Sequence, residues 1–189
     1  PYVALLANGT SGDINNINWP GQPVRYQPYE KMESVARKVA DEALRVYGSA
    51  GWQEQVPRVR GRVVEIEAGV RLPRPDEVDR ARAMLAQVGE GPLKTWEEIY
   101  ARETVLLADY PGKVRVPLYV LGIGDACAVG LPCEAFCRIG LTIKRASPCA
   151  GTMVIGLANG YYGYLPTTEQ HLLGGYETWR ARSSYLAPD

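Results

Sequence analysis

The chain has 189 residues, enough for one sizeable hydrophobic core, and we predict a single domain over residues 1–189. Its 21 Lys and Arg residues balance its 21 Asp and Glu residues, so the zero net charge argues against a nucleic-acid partner. No run approaches the roughly 18 apolar residues that a membrane-spanning helix needs, so we expect no transmembrane segment.

Apolar periodicity divides the chain into alternating strands and helices. Residues 2–7 predict a first strand, which ends at the loop of residues 8–13 (NGTSGD). The glycines of that loop would allow a tight turn with exposed backbone N–H groups that could hold an anion. Helices are predicted at 29–48, with Gly48 as the expected C-cap, at 76–88, at 95–109, which opens with a Thr95–Glu98 capping box, and at 136–146. Further strands are predicted at 58–68, 114–123, 126–131 and 153–155. This pattern predicts an α/β fold with charged helices on the outside.

The segment from Thr152 to Glu177 contains several tyrosines shortly after the predicted buried strand at 153–155. Small residues at 158–160 allow the backbone a sharp turn there or a close approach to a ligand. Tyr161, Tyr162 and Tyr164 follow this turn. On composition alone, half-buried packing residues are the simpler interpretation of these tyrosines. A polar loop on a rigid scaffold is nevertheless typical of binding and catalytic sites.

A second candidate is Glu134, which comes shortly after the apolar strand predicted at 126–131. Burying a carboxylate at such a place costs several kcal/mol unless it is paired or bound to a cation. An exposed loop position is the alternative interpretation of Glu134.

Ser11 in the first loop is a possible nucleophile, but it lacks the Gly-x-Ser-x-Gly context of a nucleophile elbow. A metal-independent hydrolase that uses Ser11 would also need a base that this chain barely offers.

The run from Gly156 to Glu177 resembles the neutral ceramidases, zinc-dependent amide hydrolases that cleave the N-acyl bond of ceramides. In that family an Asn-containing turn leads to a tyrosine zinc ligand, a Thr-rich segment and a Tyr-Glu pair. The resemblance implies that Tyr164 is a zinc ligand and that Tyr176 contacts the reacting carbonyl. The family sequence Pro-Gly-Glu-Phe carries a glutamate zinc ligand, and Glu134 takes that position here.

A further block of resemblance lies in the first loop. The ceramidases carry Asn-x-Gly-Asp-x-Ser-Pro-Asn there, and its serine is required for activity. Gly12 and Asp13 match this motif, but Asn15 stands in place of the serine. The resemblance implies that Gly12, Asp13 and Asn15 position water and the substrate carbonyl. An asparagine can donate and accept hydrogen bonds, but it cannot form an acyl-enzyme.

Taken over residues 2–18, 116–136 and 152–182, the resemblance implies mixed β-sheets flanked by helices, the C-terminal part of a larger neutral-ceramidase-like catalytic domain. It implies hydrolysis of a ceramide-like N-acyl amide, with zinc-bound water as the nucleophile. The family's two zinc histidines lie upstream of these blocks. Because the chain opens within an apparent strand, we expect the upstream half of the fold, as a separate or processed chain, to supply them.

The single histidine, His171, has no counterpart among the family's ligands, and we interpret it as a helix-surface histidine or one whose hydrogen bonds are satisfied within the protein. Asn15 and the missing histidines favour an alternative, a catalytically degenerate binding or structural subunit that retains the fold. Ceramidase relatives are usually exported, so we expect a secreted or periplasmic protein. Four cysteines could then form two disulfides, and Cys127 with Cys149 is the pair to test first, whereas a cytosolic protein would keep free thiols.

Overall fold

A computed structural model describes residues 4–17, 21–22, 24–52 and 56–188. The chain divides into two compact units, a larger one of Pro1–Ile14 with Arg58–Asp189 and a smaller one of Asn15–Pro57. The helices are α1 (Glu30–Ser49), α2 (Pro75–Val88), α3 (Trp96–Leu107), α4 (Cys137–Ala146) and α5 (Thr168–Leu173). The strands are β1 (Val59–Gly69), β2 (Lys113–Ile123), β3 (Ala126–Gly130), β4 (Glu134–Ala135), β5 (Gly151–Ile155) and β6 (Tyr164–Leu165). A 3-10 turn covers Tyr176–Thr178.

The smaller unit consists mainly of α1, which confirms the helix predicted at 29–48. Its first turn carries Glu30 and Glu33, which suit the positive end of the helix dipole. The helix runs through Gly48, where its C-cap was predicted, and ends at Ser49 with Ala50 in an extended conformation. Among the residues that the structure describes, no helix has the length and apolar character needed to cross a bilayer.

The larger unit is built on a mixed four-stranded sheet in the order β1-β2-β3-β5. The first three strands are antiparallel neighbours, whereas β3 and β5 are parallel. Parallel neighbours need a crossover connection, and here that connection contains β4 and α4. A second sheet consists of β4 and β6 alone, paired in parallel. The predicted fold class, mixed sheets flanked by helices, is confirmed.

The helices α2 and α3 pack against each other, and both begin at capping boxes. At the start of α3, the Glu98 backbone N–H donates to Thr95 Oγ1 at 3.2 Å, and Thr95 N–H donates to Glu98 Oε2 at 3.2 Å. This is the predicted capping box. It satisfies two backbone donors that a helix start would otherwise leave without partners.

Two buried clusters include the residues next to Glu134. One contains Leu107, Val116, Cys133, Tyr185 and Leu186, and the other contains Leu131, Ala135 and Val154. Cys133 and Ala135 are 2% and 0% exposed, so both sequence neighbours of Glu134 are anchored in the core. The packing of these neighbours holds the Glu134 backbone in place while its side chain stays half-buried.

The strand predicted at 2–7 is wrong for the residues of it that the structure describes. Residues 4–7 have no regular secondary structure, and residues 2 and 3 lie outside the described part of the chain. Leu5 and Leu6 are 93% and 87% exposed. An apolar run becomes a strand only when a neighbouring strand accepts its backbone hydrogen bonds, which local sequence does not specify.

Candidate functional site

The two short strands β4 and β6 bring Glu134 and Tyr164 together. They pair in parallel, with Glu134 opposite Tyr164 and Ala135 opposite Leu165. The Glu134 N–H donates to the Gly163 carbonyl at 2.9 Å. Paired residues of neighbouring strands project to the same face of a sheet, so the carboxylate and the phenol lie side by side. The two predicted metal ligands are therefore adjacent, although they are 30 positions apart in the sequence.

Two more tyrosines complete this cluster. The rings of Tyr164 and Tyr176 meet edge to face, with centroids 5.7 Å apart. The Tyr161 hydroxyl donates to Glu134 Oε1 at 3.3 Å. Burial, followed by hydrogen bonds to Tyr176 and Glu134, raises the pKa of Tyr164 well above its ordinary value. We call Glu134, Tyr161, Tyr164 and Tyr176 the tyrosine–glutamate cluster.

The cluster is open to solvent. Tyr161 and Tyr176 are 55% and 50% exposed, whereas Glu134 and Tyr164 are half-buried. A cavity of about 470 Å³ reaches Tyr161 from the side and is also lined by Tyr100, Glu103, Tyr110, Arg182 and Tyr185. A ligand in this cavity would contact Tyr161, which donates to the Glu134 carboxylate.

A sharp turn delivers the tyrosines to Glu134. Leu157 and Asn159 adopt positive φ angles of 55° and 60°, a conformation that asparagine tolerates better than most residues. The Tyr162 N–H donates to the Pro132 carbonyl at 2.7 Å, and the Leu157 N–H donates to the Cys133 carbonyl at 3.1 Å. The predicted turn is confirmed, and its hydrogen bonds tie it to the residues before Glu134.

The first loop holds the Glu134 segment from its other end. The Gly12 N–H donates to the Ala135 carbonyl at 2.9 Å. The Asp13 carboxylate accepts a hydrogen bond of 2.7 Å from the Cys137 N–H, at the N-terminus of α4. The prediction of exposed N–H groups is wrong for Gly12, because its N–H is already hydrogen-bonded. The role of Gly12 and Asp13 toward substrate stays a prediction.

The other polar residues of this loop make local contacts. Ser11 Oγ accepts a hydrogen bond of 2.8 Å from the Asn8 side chain. The Ser11 carbonyl accepts one of 3.0 Å from the Ile14 N–H, which closes a turn. Asn15, the position of the family serine, is the first residue of the smaller unit, and its catalytic role stays a prediction.

His171 lies on α5 and is half-buried. Burial, followed by the positive charge of Arg71, lowers the pKa of this histidine. A neighbouring cation would also oppose the binding of a metal ion. The location on a helix agrees with the interpretation drawn from the sequence.

The donor set of the tyrosine–glutamate cluster fits part of a zinc site. Carboxylate oxygen is an ordinary zinc ligand, and a nearby dication favours the ionised form of a phenol such as Tyr164. A catalytic zinc takes at least three protein ligands, and the adjacent pair offers two. Within the described ranges, no group of three or more His, Cys, Asp and Glu side chains could hold a metal ion.

Sequence reasoning missed two contacts of this site. One is the hydrogen bond from Tyr161 to Glu134, and the other is the bond from Gly12 to the backbone beside Glu134. Tyr161 lies three positions before Tyr164 and directly after the turn, which is a weak signal at best. Nothing in the local sequence of Gly12 indicates a partner more than 100 positions away.

Comparison with solved structures identifies this architecture. The α/β arrangement of a mixed sheet with outer helices is part of the larger neutral-ceramidase-like fold. The neutral ceramidase from Pseudomonas aeruginosa is 18% identical, with a TM-score of 0.62 over 96% of this chain and 34% of that one. A ceramidase complexed with C2 is 17% identical, with a TM-score of 0.54 over 89% of this chain and 33% of that one. At 17–18% sequence identity, this structural similarity shows the fold of the chain and not its activity.

The chain spans about a third of the length of these two structures. Comparison with protein-family models gives no match. No curated protein matches the sequence either.

Proposed function

We propose that this chain contributes to a zinc-dependent hydrolase that cleaves an N-acyl amide bond of a ceramide-like lipid. The observation that most strongly supports this proposal is that Glu134 and Tyr164 are paired in neighbouring strands of a neutral-ceramidase-like fold. A carboxylate and a phenol held side by side are suitable oxygen donors for one cation. A role in sphingolipid metabolism, in a secreted or periplasmic protein, follows from the same proposal.

Each residue of the tyrosine–glutamate cluster has a distinct task in this mechanism. Glu134 and Tyr164 hold the metal, and the Tyr161 hydroxyl fixes the orientation of the Glu134 carboxylate. When bound, zinc supplies a water of pKa about 7 and polarises the acyl carbonyl. Tyr176, which is half exposed beside Tyr164, donates a hydrogen bond to the negative charge that develops on the substrate oxygen.

The first loop supports this site in two ways. Gly12 and Asp13 hold the backbone on the C-terminal side of Glu134 through Ala135 and Cys137. Asn15 hydrogen-bonds water or the substrate carbonyl, because its amide both donates and accepts. A hydrolase of this kind proceeds without a covalent acyl-enzyme at Asn15.

The remaining metal ligands come from another part of the same fold. Two donors from this chain leave a catalytic zinc at least one protein ligand short. We propose that an upstream segment, present as a separate or processed chain, supplies two histidines. Both parts would then be needed to hold zinc, and the complex would be required for activity.

Zinc and activity measurements on the purified complex of this chain with the upstream segment test the proposal directly. Glu134→Ala should lose most of the bound zinc and the amidase activity, and Tyr164→Phe should lose less because the other ligands remain. Tyr162→Phe is the matched control, because the Tyr162 hydroxyl donates to the Arg115 carbonyl at 2.8 Å. Circular dichroism establishes that each variant is folded. Unchanged zinc content in Glu134→Ala would overturn the metal assignment.

Asn15 in the serine position favours a second candidate, a catalytically degenerate subunit that binds or supports other proteins. Such a subunit would lack stoichiometric zinc even when it is purified in complex with the upstream segment. The variant Asn15→Ser separates the two candidates. If zinc-activated water is the nucleophile, both the wild type and Asn15→Ser hydrolyse N-acyl amides. If hydrolysis appears only in Asn15→Ser, the protein is the degenerate subunit.

A further inference from the structure

Cys127 and Cys149 lie together at the start of two parallel strands, within a small group of hydroxyls. Cys127 in β3 pairs in register with Thr152 in β5, and Cys149 comes just before β5. The Ala150 N–H donates to the Asp125 carbonyl at 2.9 Å, which holds the residue after Cys149 against the start of β3. These backbone contacts keep the two cysteines close.

Two hydroxyls surround the Cys127 sulfur. Cys127 Sγ lies 3.4 Å from Thr152 Oγ1 and 3.7 Å from Ser147 Oγ. Ser147 Oγ also accepts a hydrogen bond of 3.2 Å from the Cys149 N–H. Ser147 therefore contacts both cysteines, and its hydroxyl can donate a hydrogen bond to a thiolate at Cys127.

The electrostatics distinguish the two thiols. A hydrogen bond shared with Cys149, followed by bonds to Thr152 and Ser147, lowers the pKa of Cys127. The same shared bond raises the pKa of Cys149. Thiolate is the nucleophilic form of cysteine, and the Thr152 and Ser147 hydroxyls lie beside the Cys127 sulfur, so Cys127 is the attacking thiol and Cys149 is the second thiol.

The other two cysteines provide a contrast. Cys133 is 2% exposed, and burial raises its pKa to about 12, so it stays protonated and shielded. Cys137 is half-buried at the first position of α4, where its N–H donates to Asp13. Cys137 is thus the internal control for reaction at a partly exposed thiol outside the pair.

We propose that Cys127 and Cys149 form a thiol–disulfide exchange site for low-molecular-weight disulfides. The Cys127 thiolate attacks one sulfur of the small disulfide, which forms a mixed disulfide and releases one small thiolate. Cys149 then loses its proton and attacks Cys127 Sγ, which forms the protein disulfide and releases the second small thiolate. The two protons from the protein thiols end on the two small thiols. The protein is oxidised and the small disulfide is reduced.

Closing this bond would constrain the part of the chain that carries Glu134. The loop between the two cysteines contains β4 and α4. A disulfide across such a loop restricts the unfolded chain more than the folded one. The oxidised protein should therefore melt at a higher temperature, by about 5 °C or more for a domain of this size.

Treatment of the purified protein with glutathione disulfide tests the proposal. The wild type should lose the mass of two hydrogen atoms, and peptide mapping without reduction should find residues 127 and 149 cross-linked. Dithiothreitol should reverse both the mass change and the rise in melting temperature. This result does not depend on zinc or on hydrolase activity, so it stands apart from the proposed function.

Variants define the order of the two steps. Cys149→Ser should accumulate glutathione on Cys127, because the second thiol is missing. Cys127→Ser should react with glutathione disulfide about tenfold more slowly, because the better thiolate is missing. Cys137→Ser should cross-link like the wild type. A wild type that forms no 127–149 cross-link, or that reacts first at Cys137, would overturn the proposal, and this measurement suffices even if a serine variant fails to fold.

Discussion

Replacement of Gly12 by alanine is expected to destabilise the larger unit strongly. Gly12 is buried against the backbone of Glu134. A β-carbon at this position would lie 2.8 Å from the Glu134 carbonyl carbon and 3.0 Å from Phe136 Cδ1, and it would overlap the Glu134 carbonyl oxygen. Because these neighbours include backbone atoms of an anchored segment, no side-chain rotation relieves the overlap. The loop must move away from β4.

Two effects set the magnitude of this change. Forcing an extra carbon into a packed region costs about 1–3 kcal/mol. Moving the loop away also weakens the hydrogen bond of 2.9 Å from the Gly12 N–H to the Ala135 carbonyl, which contributes about 1 kcal/mol. The free energy of unfolding should therefore fall by about 2–4 kcal/mol, which corresponds to a decrease in melting temperature on the order of 10 °C.

Urea unfolding followed by tryptophan fluorescence measures this difference. Gly9→Ala is the matched control in the same loop, because its nearest neighbour would be the Val154 carbonyl oxygen at 3.9 Å. That variant should stay within about 0.5 kcal/mol of the wild type. Equal unfolding free energies for Gly12→Ala and Gly9→Ala would refute the close contact between this loop and the Glu134 backbone.

Two further predictions concern side chains that join distant parts of the larger unit. Asp13→Ala should cost about 1 kcal/mol, since Asp13 accepts the Cys137 N–H at the start of α4, and Asp13→Asn should retain most of that stability. Differential scanning calorimetry of the two variants distinguishes them. Glu103→Gln should cost about 1–2 kcal/mol, because Glu103 is 9% exposed and accepts three hydrogen bonds from Arg182. Arg182 lowers the pKa of Glu103 below its ordinary value of 4.5. The contribution is therefore complete above pH 4.5 and lost as the pH falls through the folded-state value, so acid unfolding of Glu103→Gln should show a weaker pH dependence. An equal pH dependence in the wild type and Glu103→Gln would contradict this assignment.

Local signals in the sequence were enough to predict most of the helices and strands. The Thr95–Glu98 capping box marked the start of α3 because both of its hydrogen bonds join residues three positions apart. Alternating side chains predicted β1 and β2, which pair along their whole length. The apolar run at residues 2–7 showed the limit of this reasoning. A strand needs a partner as well as a suitable composition, and residues 4–7 form none.

The candidate site also depends partly on local sequence and partly on contacts between distant segments. The sequence by itself determined which chemical groups are available, a carboxylate at Glu134 and a phenol at Tyr164. Only the tertiary structure decided that they are neighbours, because β4 and β6 are two residues long and carry no local pattern. The burial of Cys133 and Ala135 on both sides of Glu134 anchors this segment in the core. Side-chain chemistry is a property of single residues, whereas adjacency depends on packing between segments far apart in the chain, and no local pattern records it.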